Sequence, residues 1–379
     1  MIANCLGINE AGHLEISGCD TVRLAEQYGT PLYVMSEDEI RSVCRRYVAS
    51  FAKNYNGNGK PIYASKAFSC KEIYRIVLSE GLDVEVVSGG ELYTALQAGV
   101  PGSQIHFQGN NKSAGELTMA VENGVGDIVV DNLYELERLN AIAGEHSMVA
   151  PISFRIKPGI DAHTHEFIRT GQVDSKFGLD LASGEAMEAL RRAKAMEHVA
   201  VKGLHCHIGS QILEKAPFVH AAEVMLQFYA KVRDELGMAF EHLNLGGGFG
   251  IHYTAQDDAI PYEEYMEDVS AMVHSTCEKL GLELPRIYIE PGRSIVGEAG
   301  ITLYTVGSIK EIPGVRTYVA IDGGMFDNPR YALYQSAYTC CIANKASQPA
   351  DFTATIDGKC CESGDLIQEH TLIQLSIIH

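Results

Sequence analysis

Lys66 is a single lysine that follows a short β-prone run at residues 62–64 and precedes a predicted helix. Ser69 and Glu72 have the spacing of a helix capping box, which would place Lys66 at the C-terminal tip of a strand. In parallel α/β proteins, ligands bind at these strand ends. A lysine with apolar neighbours can lose its proton there and form a Schiff base with a carbonyl group. The alternative interpretation is a solvated lysine in a loop.

A glycine-rich stretch at residues 246–250 indicates a possible anion site. Its backbone N–H groups can approach a phosphate closely, although tight turns also require glycine for conformational reasons alone. The stretch is not a Walker motif, because no Gly-Lys-Ser/Thr follows it. Ser210 could add a hydroxyl to the same anion, or it could cap a helix.

Glu290 and Arg293 end the last predicted apolar strand of an alternating pattern. A carboxylate in that position could keep a pyridine nitrogen protonated, or it could form a structural salt bridge with a neighbouring arginine. Arg293 offers a planar fork for a carboxylate or a phosphate. Both residues are therefore candidates for binding a charged, aromatic ligand.

Two histidines, His205 and His207, flank Cys206 at the end of another predicted strand. A metal site needs more ligands than this pair provides, so we predict no metal. A flat imidazole near the lysine could instead stack on an aromatic cofactor. We expect one of the two histidines to face the strand ends and the other to be packed.

The second half of the chain offers fewer chemical signals. Arg330 and Tyr334 follow a turn-rich segment at residues 322–329, and Cys361 and Glu362 lie in a compact polar stretch. A lone loop thiol is usually inert, so these residues carry little information by themselves.

The elements that must position these residues alternate regularly. Strands are predicted at 61–65, 84–87, 105–107, 127–130, 151–156, 201–206, 242–245 and 286–290, and helices near 70–80, 89–98, 113–123, 132–143, 183–197, 215–236 and 261–280. The strands are short apolar runs, as in a parallel sheet buried on both faces. Eight strands alternating with helices predict an α/β protein built on a (β/α)8 TIM barrel, with a doubly wound open sheet as the alternative.

The pattern changes after residue 293. Residues 301–309, 317–321, 352–356 and 372–377 are predicted to be strands without intervening helices. Near the N-terminus, residues 21–28 are predicted to form a short helix. We predict an N-terminal segment at 1–30, a barrel at 31–295 and a C-terminal β domain at 296–379, which the N-terminal segment joins because chain ends often meet.

Composition narrows the classes of function. The 379 residues carry a formal net charge of −19, which argues against nucleic acid or an anionic membrane as a partner. No apolar run is long enough to span a bilayer, and the first residues lack the features of a signal peptide. Ten scattered cysteines without a CxxC motif favour reduced thiols and a cytoplasmic location.

Taken together, the motifs resemble those of the fold-type III decarboxylases that use pyridoxal 5'-phosphate (PLP). The resemblance rests on residues 63–67, 205–210, 246–250, 290–293 and 361–365, which have the order and spacing of that family. Residues 88–91, 109–112, 203–211 and 330–334 are similar to its diaminopimelate-decarboxylase branch. The resemblance extends from about Gly12 to Gln368 and is specific only as a set.

The resemblance implies a barrel of the alanine-racemase type plus a β domain, and a homodimer with shared active sites. Lys66 would hold PLP covalently, His207 would stack on its ring and Glu290 would pair with its pyridine nitrogen. Further residues expected at the cofactor, several of them at its phosphate, are Glu85, Ser210, Gly248, Pro291, Gly292 and Arg293.

The resemblance also implies a substrate and a reaction. Arg293, Arg330 and Tyr334 would bind a substrate carboxylate, Glu362 would bind the distal ammonium group, and Cys361 would return a proton. The reaction would be decarboxylation of meso-2,6-diaminopimelate to L-lysine and CO2, the last step of lysine biosynthesis. The alternatives are a decarboxylase of ornithine, arginine, lysine or a carboxylated polyamine, and a non-catalytic PLP-binding relative.

Two departures from the family pattern stand out. Glu85 occupies a position where the family usually has aspartate. The sequence stops at His379 without the family's later Gly-Ala-Tyr motif, so we expect a truncated β domain.

Overall fold

The computed structural model describes residues 3–160 and 175–374. The chain divides into two compact units. One, here called the barrel unit, comprises Arg41–Ile251 and Ala259–Ile295. The other, here called the β unit, comprises Met1–Ile40, His252–Asp258 and Val296–His379.

The β unit begins with three short strands, β1 Leu6–Ile8, β2 Leu14–Ile16 and β3 Cys19–Asp20, which form an antiparallel sheet. Helix α1 follows at Thr21–Tyr28, as the sequence predicts, and Asp20 caps it by accepting the Val22 N–H at 2.9 Å. Strand β4, Leu32–Met35, leads into helix α2, Glu37–Tyr55.

The barrel unit alternates strands and helices. In chain order these are β5 Gly59–Ala64, α3 Lys71–Ser79, β6 Asp83–Val86, α4 Gly89–Ala98, β7 Ile105–Phe107, α5 Ala114–Glu122, β8 Asp127–Val130, α6 Leu133–Glu145, β9 Ala150–Lys157, β10 Leu179–Asp180, α7 Glu185–Lys194, β11 Val199–Cys206, α8 Ala216–Leu236, β12 His242–Asn244, α9 Tyr262–Leu280, β13 Arg286–Ile289 and α10 Arg293–Val296. Short 3-10 turns occur at Ser65–Ala67 and Gly102–Gln104.

Parallel pairing closes the sheet into a barrel. Strands β5 to β9 pair in sequence, β9 pairs with β11, and β11, β12 and β13 lead back to β5, while β10 is attached beside β9. All residues of β6 and β8 are buried, as expected for strands covered on both faces. The predicted eight-stranded barrel is confirmed, and the open-sheet alternative is wrong.

Capping side chains fix several helix starts, and thereby the loops at the carboxyl ends of the strands. Ser88 accepts the Glu91 N–H, and Ser113 with Glu116 forms a full capping box. The capping box predicted from Ser69 is wrong. Helix α3 begins at Lys71 with Cys70 as its N-cap, and the Ser69 hydroxyl instead lies 2.9 Å from that of Tyr74.

The C-terminal part of the β unit is mainly sheet. Strand β14, Gly300–Leu303, pairs with β4, and β15 Val306–Ile312, β16 Arg316–Ile321, β17 Phe352–Asp357 and β18 Leu366–Ile373 form a four-stranded sheet. Its core contains Val319, Ile321, Ala354, Ile356, Ile367 and Ile373. The predicted β-rich domain, joined by the N-terminal segment, is confirmed.

Details of the β unit differ from the prediction. The single strand predicted at 301–309 is two strands, β14 and β15, and a short helix, α11 Arg330–Tyr334, lies where no helix was expected. The last predicted strand, 372–377, begins earlier, at Leu366, and its residues 375–377 lie outside the described part of the chain. Among the helices in the described ranges, none is long and apolar enough to cross a membrane.

Candidate active site

Lys66 sits in the 3-10 turn directly after β5, at the carboxyl end of the barrel strands. The turn is fixed from both sides, because the Tyr63 hydroxyl donates to the Phe68 carbonyl at 2.8 Å and the Ala64 N–H donates to the Pro291 carbonyl at 3.1 Å. The lysine side chain is 54% exposed. Its amine is therefore positioned and reachable.

Glu85 lies on the neighbouring strand β6, with its Oε1 3.9 Å from Lys66 Nζ. The carboxylate is buried, and its Oε2 has no hydrogen-bond partner among the described residues. Burial, reinforced by repulsion from Glu290, raises the pKa of Glu85 to about 7, although the Lys66 charge opposes the shift. This carboxyl group therefore holds a proton more readily than an ordinary glutamate.

Glu290, which follows β13, is buried among hydrogen-bond donors. Its Oε1 accepts from Asn244 Nδ2 at 2.7 Å and from Gln108 Nε2, and its Oε2 lies 3.0 Å from His205 Nε2. Burial would raise the pKa of Glu290, but His205, the Lys66 charge and the Asn244 hydrogen bond outweigh burial and lower it. Glu290 is thus held as an anion.

Both histidines of the predicted pair belong to this group. His205 contacts Glu290, and His207 Nδ1 accepts the Gly247 N–H at 3.3 Å. Burial and then the positive charges of Lys66 and Arg155 push the pKa of His207 well below its usual value, so its ring is neutral. The expectation that one histidine would merely be packed is wrong, because residues two apart on a strand share a face.

The glycine-rich loop after β12 packs tightly against its neighbours. A Cβ on Gly247 would overlap the Glu290 carbonyl, and Gly248 combines a φ of +116° with a close approach to the Gly209 carbonyl. The Ile212 N–H donates to the Gly248 carbonyl at 2.9 Å, which joins this loop to the segment after β11. The chain at this point requires glycine.

Ser210 and Arg293 meet beside that loop. Arg293 Nη2 and Nε lie 3.1 and 3.3 Å from Ser210 Oγ. A guanidinium, a hydroxyl and glycine-rich backbone gathered at one barrel end provide the donors that a phosphate requires. Pro291 and Gly292 are buried between these residues and β5, and a Cβ on Gly292 would crowd Ala64.

Three polar residues of this site were not singled out from the sequence: Gln108, Arg155 and Asn244. Each lies in or directly after a barrel strand, and each is buried. Arg155 stacks its guanidinium 4.3 Å from the Phe177 ring centroid, and burial lowers its pKa. The available signal was a polar residue interrupting an apolar strand near its carboxyl end.

The remaining predicted site residues lie in the β unit. Arg330 and Tyr334 belong to helix α11, where the Arg330 guanidinium lies 3.8 Å from the Tyr253 ring centroid. Cys361 and Glu362 lie in the loop between β17 and β18, and both are exposed. Buried Asp365 fixes this loop by accepting the Cys360 N–H at 2.8 Å and the Met325 N–H at 2.5 Å.

The barrel-end residues fit PLP on the evidence of their own geometry. A reachable amine can bind an aldehyde carbon, and the Ser210 hydroxyl and the Arg293 guanidinium are donors suited to a phosphate. Glu290 accepts three donors and has about four acceptor sites, so one remains for a ring N–H. In the parts of the chain that the structure describes, no cluster of three or more His, Cys, Asp or Glu side chains is arranged to hold a metal.

Comparisons with known proteins point in the same direction. The family described as "Pyridoxal-dependent decarboxylase, pyridoxal binding domain" matches residues 37–297. Diaminopimelate decarboxylase of Bacillus methanolicus is 50% identical over 360 residues, covering 95% of this chain and 83% of that protein. The Bacillus subtilis (strain 168) enzyme of the same name is 49% identical over 359 residues, covering 95% and 82%.

Solved structures agree with the sequence matches. The crystal structure of diaminopimelate decarboxylase from M. jannaschii in co-complex with L-lysine superposes with a TM-score of 0.88 at 36% identity, covering 98% of this chain and 85% of that one. The Helicobacter pylori enzyme complexed with L-lysine gives a TM-score of 0.82 at 30% identity, covering 92% and 84%.

Proposed function

The chain belongs to the diaminopimelate decarboxylase family of pyridoxal-dependent enzymes, and from this membership we propose that it converts meso-2,6-diaminopimelate to L-lysine and CO2. The observation that carries the proposal is the convergence of Lys66, Glu85, His207 and Glu290 at one end of the barrel, beside the glycine-rich loop and the Ser210–Arg293 pair.

The family's cofactor is PLP, which when bound supplies an electron sink for the pair left behind as CO2 departs. Lys66 would hold it through its amine, and the neutral ring of His207 would lie against it. Ser210, Gly248, Gly292 and Arg293 would bind its phosphate.

The two carboxyl groups have different tasks in this proposal. Glu290 is an anion, so it attracts and keeps a proton on the nitrogen that faces it. Glu85, with a pKa of about 7 and one unpartnered oxygen, can give a proton to the Lys66 amine or take one from it. Two carboxyl groups with separated pKa values are the pattern expected of an acid–base site.

Residues of the β unit would select the substrate and complete the reaction. Arg330 and Tyr334, with Arg293, would bind a carboxylate, and Glu362 would bind the distal ammonium group. The Cys361 thiol would donate a proton to the substrate Cα after CO2 leaves. We further propose a cytoplasmic homodimer with shared sites, in which the acid is Cys361 of the partner subunit.

Selectivity would rest on the second amine and carboxylate of the substrate. A substrate lacking either group would cover these polar partners without pairing them, which lowers kcat/KM strongly. L-Lysine and L-ornithine both lack the distal carboxylate, so both should be poor substrates.

The test is CO2 release from meso-diaminopimelate, L-lysine and L-ornithine, measured with the full chain and excess PLP. We expect turnover of diaminopimelate at least about a thousandfold above the other two. Equal or faster release from a simple diamino acid would move the protein to another decarboxylase class. No release from any of the three would indicate a non-catalytic relative.

A further inference from the structure

Two amide side chains and one imidazole contact the Glu290 carboxylate, and the proposed mechanism assigns no role to them. They are Gln108, His205 and Asn244, contributed by the segment after β7, by β11 and by β12. All three are nearly inaccessible, with exposures of 3%, 0% and 0%. A carboxylate with this many buried donors is an assembled site, because each donor would be costly to bury alone.

The donors are distributed unevenly between the two carboxylate oxygens. Oε1 accepts from both amides, Asn244 and Gln108, which uses its two lone pairs. In the part of the chain that the structure describes, Oε2 has one contact, with His205 Nε2 at 3.0 Å. The acceptor direction that remains is therefore on Oε2, beside the imidazole.

The tautomer of His205 follows from the same contacts. Nε2 lies 3.0 Å from a carboxylate oxygen, which can only accept, so Nε2 carries the proton. Its 3.1 Å contact with Gln108 Nε2 is then not a hydrogen bond, because both nitrogens are donors. Nδ1 is buried without a hydrogen-bond partner in the described residues. The Nε2–H is present whether the ring is neutral or charged, so His205 donates to Glu290 in either state.

We propose that His205 is a positioning residue which, with Gln108 and Asn244, keeps Glu290 ionised and leaves one direction on Oε2 for the ring N–H of the cofactor. The inference rests on the proposed function only for the identity of that ring. The effect of His205 on Glu290 is a property of the chain alone.

The charged and titratable groups around Glu290 explain why a donor is needed. They are Lys66 after β5, Glu85 on β6, Arg155 on β9, and His205 and Cys206 on β11. Lys66 and Arg155 favour the anion, whereas Glu85 repels it. Without the His205 donor, that repulsion and burial would raise the pKa of Glu290.

The test compares His205→Phe, which removes the donor, with His205→Gln, which keeps an N–H donor but cannot titrate in this range. Thermal midpoints of the full chain are measured without added PLP at about pH 5 and about pH 8. We expect the deficit of His205→Phe relative to wild type to grow from the lower to the higher pH, because Glu290 must ionise without its donor. His205→Gln should show a smaller deficit that changes little with pH.

Glu290→Gln provides the internal check, because it removes the charge on which His205 acts. Adding His205→Phe to Glu290→Gln should lower the midpoint equally at both pH values. A deficit of His205→Phe that is independent of pH, or a pH-dependent deficit that persists in the Glu290→Gln background, would overturn the proposal. Neither measurement requires PLP to bind. The His205 proposal can therefore fail while the proposed decarboxylation holds, and the proposed decarboxylation can fail while the His205 proposal holds.

Binding of PLP gives a second readout. In His205→Phe the dissociation constant for PLP, measured by fluorescence titration, should rise on the order of tenfold, and His205→Gln should recover most of that loss. The matched control is His242→Phe, which removes a buried histidine at the first residue of β12, close to Asp127 and Ser153. It should lower the midpoint but leave PLP affinity unchanged, and equal losses of affinity in both Phe variants would contradict a specific role for His205.

Discussion

The two ends of the barrel contain similar residue types in opposite arrangements. The cluster at the amino ends of the strands, here called the amino-end cluster, consists of Lys60, Asp83, His106, Asp127, Ser153 and His242. The cluster at the carboxyl ends, here called the carboxyl-end cluster, consists of Lys66, Glu85, Gln108, Arg155, His205, Asn244 and Glu290. Apart from the two lysines, the members of both clusters are buried, and both clusters combine lysine, histidine and carboxylates.

Opposite charges alternate in the amino-end cluster. Lys60 Nζ lies 2.5 Å from Asp83, and His106 lies between Asp83 at 3.6 Å and Asp127 at 3.7 Å. Burial would lower the pKa of His106, but the negative charges of these aspartates outweigh it and raise the pKa to about 9. The pKa of Asp127 is lowered against the effect of burial, mainly by His106 and His242. Each of these groups is stabilised in its ionised form.

Like charges are adjacent in the carboxyl-end cluster. Burial and the repulsion between Glu85 and Glu290 raise the pKa of Glu85 to about 7, and its Oε2 has no hydrogen-bond partner within residues 3–160 and 175–374. This arrangement costs stability and leaves a group that can exchange a proton at neutral pH. The comparison teaches that burial of charge by itself does not locate a site, whereas two like charges buried side by side do.

The largest expected effect comes from comparing two lysines at opposite ends of β5. Lys60 lies at the start of this strand, and Lys66 lies in the turn after it. Lys66→Met should lower the rate of CO2 release by on the order of a thousandfold or more, because the amine that holds the cofactor is lost. Stability should change little, because the side chain is half exposed and Glu85 can take up a proton. Activity assays and urea unfolding would measure the two effects.

Lys60→Met is the matched control at the other end. It leaves Asp83 without its closest cation and should cost about 1–3 kcal/mol of stability. The activity of the folded protein should be that of the wild type. A Lys60→Met variant that loses activity while remaining folded would show that the two clusters are not independent.

A second prediction concerns alkaline pH. Because His106 has a folded pKa of about 9, above its unfolded value, its contribution is complete below about pH 6.5 and is lost as the pH rises through 9. Stability measured by urea unfolding should therefore fall by on the order of 3 kcal/mol over this window. His106→Gln should be less stable at neutral pH and should lack this slope, and a wild type with a flat profile would contradict the assignment.

The sequence indicated the elements better than the contacts between them. The barrel strands are recognisable because strands buried on both faces are short apolar runs, and Ser113 and Asn132 mark helix starts by capping chemistry. Helix α11 was missed because its five residues are too few to show a helical period. The capping prediction for Ser69 failed because its hydroxyl contacts the Tyr74 hydroxyl rather than a backbone N–H at the start of the helix.

The candidate site was predictable in part for a similar reason. Lys66 and Glu290 stand out because each is a charged residue at the end of an apolar run. Gln108 and Asn244 are less conspicuous, because a neutral amide at the end of a short strand is a weaker signal than a charge. The contact of Gln108 with Glu290 spans 182 residues of sequence and depends on closure of the sheet, whereas Asn244 lies on β12, the strand beside β13.

The smallest expected effect separates two buried glutamates, Glu85 and Glu135. Burial raises the pKa of both, but Glu135 is paired with Lys112 at 2.7 Å, whereas Glu85 retains an oxygen without a hydrogen-bond partner among the described residues.

Because the folded pKa of Glu85 lies above its unfolded value, its ionisation costs stability, increasingly as the pH rises from about 4.5 to 7. Glu85→Gln should therefore stabilise the protein by about 1–2 kcal/mol at neutral pH and little at acid pH, while lowering activity. Glu135→Gln should instead destabilise it, because Lys112 loses its charged partner. Urea unfolding of both variants at the two pH values measures the contrast, and a loss of stability in Glu85→Gln at neutral pH would show that Glu85 is not a strained carboxylate.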